Sequence, residues 1–197
     1  MEPMNALYDR LTALVVVDVQ NDFADPEGSL AVPGGETVVS AANLEIAAAR
    51  SAGAAVFFTT DWHPTHTPHF MPDGGPWPVH CVAGSWGAEL HPQLSGGGEI
   101  IRKGEGQENG YSGFTVELPD GSHRPTALPG RLLELGIEKV VVIGLATDYC
   151  VLATALDSVA EGCETTVLLR AIAAVDITPG DGAKAIRQMQ TVGVTVI

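Results

Sequence analysis

The sequence predicts an α/β protein built on one doubly wound parallel sheet of six strands, with helices on both faces. Three observations carry that expectation. Short, β-branched apolar runs recur along the 197 residues. They are nearly continuous rather than alternating, as strands buried on both faces are. Stretches of helical character that end at glycine lie between most of them.

The elements follow in order. TALVVVD (12–18) is the first strand, and the Ala-rich stretch 36–52, stopped by Gly53, is the first long helix. AAVFFTTD (54–61) is the second strand. Residues 62–98, rich in Pro, Gly, Trp and His, form an irregular tract too long for an idle connection, which marks it as functional. EIIRK (99–103) is the third strand, 129–135 a helix closed by Gly136, and KVVVIG (139–144) the fourth strand. A helix over 149–161 ends at Gly162, TTVLL (165–169) is the fifth strand, and a helix over 181–191 precedes Gly193 and the last strand, VTVI (194–197). No repeat, linker or low-complexity segment interrupts the series, so residues 1–197 read as a single Rossmann-like domain.

Composition narrows the partners. Ten basic against 24 acidic side chains give a formal charge of −14. Neither nucleic acid nor an anionic membrane surface is drawn to such a field, and a small neutral or cationic ligand fits better. Three cysteines at irregular positions make no disulfide framework, which points to free thiols in a reducing, cytoplasmic setting. MEPMNALYDR lacks the basic and apolar regions of an export signal, and no apolar stretch has membrane-spanning length. The oligomeric state stays open, a homo-oligomer included.

Ligands of open α/β sheets bind beyond the carboxyl ends of the strands. Asp18 closes the first apolar run, Asp61 the second and Lys103 the third, while the fourth leads through Gly144 into LATDYC, where Cys150 opens a helix. Two acids, a base and a thiol thus meet at one rim. A helix N-terminus favours thiolate, and a carboxylate with a lysine supplies proton transfer, so Asp18, Lys103 and Cys150 are candidates for an activated nucleophile. Cys163, near a helix end, reads as structural. Cys81 can reach a metal or pack, with packing favoured.

The stretch DWHPTHTPHF (61–70) adds a second kind of chemistry. Asp61 and His63 alternate as at a strand end, His69 follows a short proline-containing loop, and WPVHC supplies His80. Carboxylate and imidazole suit one divalent ion, zinc ahead of iron or manganese. His66 competes with His69 but sits between threonines, whereas His69 precedes apolar Phe70. His69 is therefore favoured as the inward residue. His91 and His123 read as surface.

Taken together, ALVVVDVQNDF, GSLAVPGG, DWHP, WPVHCV, KG with the later YSGF, and GLATDYCV resemble, in this order and over nearly the whole chain, the nicotinamidases of the isochorismatase-like cysteine hydrolase superfamily. The DxH element with two later histidines is similar to the metal site of nicotinamidases, which isochorismatases and carbamoyl-amide hydrolases generally lack. The resemblance implies a triad of Asp18, Lys103 and Cys150, metal ligands Asp61, His63, His69 and His80, and an aromatic pocket of Phe23 and Trp77 closed by Tyr111. It also implies a cis peptide between Leu145 and Ala146, with the Ala146 and Cys150 N–H groups forming an oxyanion hole. The implied reaction is hydrolysis of nicotinamide, with pyrazinamide as a related amide, through a thioester. Two rivals are a hydrolase in which metal-activated water attacks, or a related carbamoyl-amide hydrolase, and a non-catalytic binding protein on the same fold.

Overall fold

The computed structural model describes residues 7–197. The expectation about an export signal in residues 1–10 falls mostly outside them. The chain runs β1 (Thr12–Val17), α1 (Asn21–Ala24), α2 (Gly35–Ser51), β2 (Ala55–Asp61), β3 (Glu99–Lys103), β4 (Thr115–Glu117), β5 (His123–Pro125), α3 (Leu128–Glu134) and β6 (Lys139–Leu145). A wide helical turn (Thr147–Val151) then continues into α4 (Leu152–Ala160), followed by β7 (Glu164–Ala173), α5 (Asp181–Thr191) and β8 (Thr195–Val196). Six strands form one parallel sheet in the order β3-β2-β1-β6-β7-β8, as the apolar runs predict.

Every residue of β1 is buried, because the strand is covered on both faces. Leu14 and Val16 point into the core that packs against α2, together with Phe58, Ile143 and Leu168. Ala13, Val15 and Val17 point the other way, into a second core with Phe57, Val142, Leu128 of α3, Ala155 of α4 and Met189 of α5. Each fully buried Val, Leu or Phe contributes about 1.5–3 kcal/mol, so the two layers hold the central strands rigidly.

Strand order places the functional rim. The chain steps outward from β1 to β2 to β3, then returns to lay β6 on the free side of β1 and steps outward again. The connections therefore diverge between β1 and β6 and leave a crevice beyond their carboxyl ends. Val17 stands opposite Thr59 on one side and Gly144 on the other, while Asp61 stands opposite Lys103. The three strand ends thus arrive level.

The structure adds elements the apolar pattern does not announce. β4 and β5 form a separate antiparallel ribbon of three-residue strands, too short and too polar to give a periodic signal. β7 extends to Ala173, past the expected 165–169, and a register irregularity separates its Val167 and Ile172 pairings with β6. Its outer residues Leu169 and Arg170 are exposed, which breaks the apolar run. Residues 62–98 hold 3₁₀ turns at Met71–Asp73 and Trp86–Ala88 and isolated bridges that pair His63 with Val82 and Phe70 with Trp77. His91, expected at the surface, is buried, with Nδ1 accepting from the Gln93 N–H; His123 is exposed. No helix among the described residues is long and apolar enough to cross a membrane.

Gly144 shows why β6 can pass so close to β1. Its φ is +116°, and a Cβ there would lie 2.7 Å from the Val17 nitrogen. Gly136, which ends α3, has φ +64° but open space around the same position. Gly136→Ala should therefore cost only left-handed strain, about 1–2 kcal/mol. Gly144→Ala should cost about 3 kcal/mol or more by adding overpacking against backbone. Urea midpoints of the two variants check the difference, and equal midpoints would contradict the close approach.

Candidate active site

The residues gathered at the rim begin with an ammonium. Lys103 ends β3 and is fully buried, and burial alone disfavours its charge. Asp18 and Asp61 reverse that preference and hold its pKa well above the ordinary lysine value. Nζ pairs with Asp18 Oδ2 at 2.7 Å and with Asp61 Oδ1, donates to the Gly110 carbonyl at 2.6 Å, and stands 3.6 Å from Cys150 Sγ. One cation thus links β1, β2, the loop after β3 and the turn before α4.

Asp18 follows β1 with a left-handed backbone, φ 49°. Thr59 Oγ1 donates to its Oδ1 at 2.6 Å. Burial, reinforced by Asp61 and resisted by Lys103 and Thr59, lifts its pKa to about 6. Oxygens of Asp18 and Asp61 and Cys150 Sγ lie within 4.8 Å of one another. Burial also pushes the Cys150 thiol well above the usual range, with Lys103 opposing and the carboxylates adding to the rise. The sequence suggests a thiolate favoured by the helix start; desolvation outweighs that here, so the sulfur rests protonated beside a carboxylate that can take the proton.

Asp61 faces two ways. Burial disfavours its charge, but Lys103, His63 and His80 drive its pKa well below the carboxylate range. Oδ1 meets Lys103, while Oδ2 lies 3.7 Å from His63 Nε2 and 3.9 Å from His80 Nε2. Nitrogens of His63, His69 and His80 all lie within 4.8 Å of one another. Each ring is held from behind at Nδ1: His63 by the Gly104 carbonyl at 3.1 Å, His69 by Asn109 Oδ1 at 3.0 Å, His80 by the Pro78 carbonyl at 2.7 Å. An acceptor at Nδ1 fixes the proton there and leaves the Nε2 lone pair for a metal.

The donor set fits a divalent ion. His63 Nε2 is buried without a hydrogen-bond partner, which a coordinated ion would relieve. Burial lowers the His69 pKa to about 4, with the neighbouring His63 adding to the effect, and burial likewise lowers that of His80. Both rings are neutral and ligand-competent. Gly104 contributes through absence: a Cβ there would meet His63 Nδ1 at 2.7 Å. His66 stays outside, exposed beside Asp73. Cys81 packs rather than facing the imidazoles, its N–H bound by Asp22 at 2.7 Å and its Sγ 3.7 Å from the Gly87 carbonyl. Cys163 is half-buried just past the end of α4.

A cleft of about 370 Å³, its open mouth included, joins the two groups. Asp61, His69, His80 and Cys150 line it, along with Phe23, Trp77 and Tyr111 of the expected pocket. Trp77 Nε1 donates to the Tyr111 hydroxyl at 2.8 Å, and Tyr149 meets the Trp77 ring edge-on at 4.8 Å. Ala146 also lines the cleft, and the Leu145–Ala146 peptide is cis. Sequence reasoning did not single out Asn109, Tyr149 or Gln20, whose amide exchanges two 2.8 Å bonds with the Asp61 backbone. Gln20 and Tyr149 each lie within two residues of a recognised one, Asp18 and Cys150, a signal that neighbourhood alone could have supplied.

The chain is 38% identical to the nicotinamidase of Escherichia coli K12 over 93% of each chain. The pyrazinamidase of Pyrococcus horikoshii, solved in complex with zinc, superposes with a TM-score of 0.85 at 36% identity, covering 94% of this chain and 98% of that one. A protein of L. infantum, solved in complex with nicotinate, gives 0.84 at 36% identity, covering 94% and 91%. The Isochorismatase domain model matches residues 12–197, and the chain belongs to that family.

Proposed function

We propose that the protein hydrolyses nicotinamide to nicotinate and ammonia, with pyrazinamide as a second heteroaromatic substrate. One observation carries the reading: a thiol clustered with Asp18, Asp61 and a buried ammonium shares an aromatic cleft with two of three clustered imidazoles, and Asp61 reaches both groups. Kinship with nicotinamidases supports the choice of amide. The candidate groups gather from strand ends and connecting segments at one rim of one sheet, and a single domain over 1–197 belongs to the same proposal. Free thiols support a cytoplasmic setting.

Asp18 takes the thiol proton, and the Cys150 sulfur attacks the amide carbon to form a C–S bond. Lys103, in reach of both groups, stabilises the single negative charge as it passes from the Asp18 carboxylate to the sulfur. The N–H groups of Ala146 and Cys150 hold the tetrahedral oxyanion. Asp18 returns the proton to the nitrogen as the C–N bond breaks and ammonia leaves. Water, deprotonated by Asp18, then adds to the thioester carbon, the C–S bond breaks to release the acid, and Asp18 returns its proton to the sulfur. Asp61, His63, His69 and His80 would hold a divalent ion, with zinc the first candidate. When bound, that ion supplies a Lewis-acidic partner for a ring nitrogen of the substrate. Phe23 and Trp77 flank the ring, and Tyr111 narrows the mouth.

Cys150→Ala should lower ammonia release about 10⁴-fold or more while leaving the circular dichroism spectrum and metal content unchanged. Substantial residual turnover would favour a water-attack mechanism. Asp18→Asn should cost about 10²- to 10⁴-fold. In the wild type, activity should fall about tenfold per pH unit below about 6, because Asp18 is protonated there and can no longer act as base. An unchanged rate at pH 5 would remove Asp18 from that role.

The ion's role is tested separately. His63→Ala, or chelation, should reduce nicotinamide hydrolysis about 10²-fold through misplacement of the ring, yet leave alkylation of Cys150 by a small haloacetamide near normal. Benzamide, lacking a ring nitrogen, should be a slow substrate whose turnover is indifferent to chelation. Equal sensitivity of both amides would move the ion from positioning to water activation.

A further inference from the structure

Of the three inward histidines, two are held from behind by backbone carbonyls, those of Gly104 and Pro78, which no substitution removes. The third is held by a side chain. Asn109 Oδ1 accepts from His69 Nδ1 at 3.0 Å, and no other group among the described residues bonds that nitrogen. The backbone of Asn109 is itself anchored. Its N–H and carbonyl exchange two 2.8 Å hydrogen bonds with Glu117, the last residue of β4, so the ribbon acts as a bracket for the loop after β3. His69 stacks on His63 at 4.8 Å between ring centroids, so a rotation of His69 would be felt across the cluster.

We propose that Asn109 is a positioning residue for the metal site, setting the orientation and tautomer of His69. This rests on the metal reading of the three imidazoles. An oxygen at Nδ1 can only accept, so it holds the proton on Nδ1 and the lone pair on Nε2, facing the other ligands. Asn109 is exposed, and after its removal solvent can reach Nδ1. Water both donates and accepts, so it leaves the tautomer undetermined. A carboxylate in the same place accepts more strongly and makes the imidazole a better donor. Asn109 therefore tunes affinity at this ligand without touching the ion or the substrate.

Zinc-loaded protein challenged with a chromogenic chelator at fixed pH reads the effect directly, independent of turnover. Asn109→Ala should release zinc at about tenfold lower chelator concentration than the wild type, and Asn109→Asp should hold it at least as tightly as the wild type. Alkylation of Cys150 should be the same in all three, which separates a local change at His69 from general loosening of the site. If Asn109→Ala holds zinc as the wild type does while His63→Ala loses it, Asn109 has no positioning role and the metal site stands. Weaker binding by Asn109→Asp than by Asn109→Ala would likewise overturn the proposal. If His63→Ala and His69→Ala both retain zinc with unchanged affinity, the metal reading fails, and Asn109's role falls with it.

Discussion

The rim is organised around a cation with no access to water. An ammonium buried this deeply is stable only if oppositely charged and hydrogen-bonding groups surround it, since removing one partner from such a cluster costs about 3–5 kcal/mol. Lys103 draws Asp18, Asp61 and the Gly110 carbonyl to one point. These come from the ends of β1 and β2 and from the loop that follows β3. The ion pairs therefore do more than set protonation states: they fix how three neighbouring strands finish, and hence where the thiol, the carboxylate and the imidazoles can be.

Around that cation, two aspartates of like charge end up in different roles. Asp61 has Lys103 on one oxygen and imidazoles beyond the other, and it stays ionised. Asp18 shares the same lysine but is wholly enclosed and feels Asp61, so its proton affinity rises into the range useful for transfer near neutrality. Environment rather than residue type divides the labour. The division depends on the sheet register that sets Asp61 beside Lys103, with Asp18 one residue past the end of β1.

Much of this could be read in advance. Apolar runs ending in Asp18, Asp61 and Lys103 marked both strands and rim, because parallel strands buried on two faces leave an unbroken signature and their ends are where polarity returns. Asp61 and His63 could be named from their alternation at a strand end, His69 from the apolar Phe70 that follows it and His80 from WPVHC, and the family resemblance joined the four into one ligand set. The ribbon was not legible, since three-residue strands carry no period, and Asn109, paired with its Glu117, was hidden with it. Desolvation of Cys150 was invisible for another reason. A helix start can be read from local sequence, whereas how much protein closes over the sulfur depends on Trp77, Tyr111 and other residues far away in the chain.

Asp61 joins the two halves of the site through a single carboxylate, and this makes them thermodynamically linked. A positive charge placed among the imidazoles, on Oδ2, draws on the same delocalised carboxylate charge that stabilises the ammonium through Oδ1, so it weakens the hold of Asp61 on Lys103 and leaves the lysine more to Asp18. Linkage is reciprocal: the free energy by which an occupant of the imidazole cluster alters proton binding at the triad equals that by which triad protonation alters the occupant's affinity. The two clusters form one electrostatic system, divided only by which oxygen of Asp61 is considered.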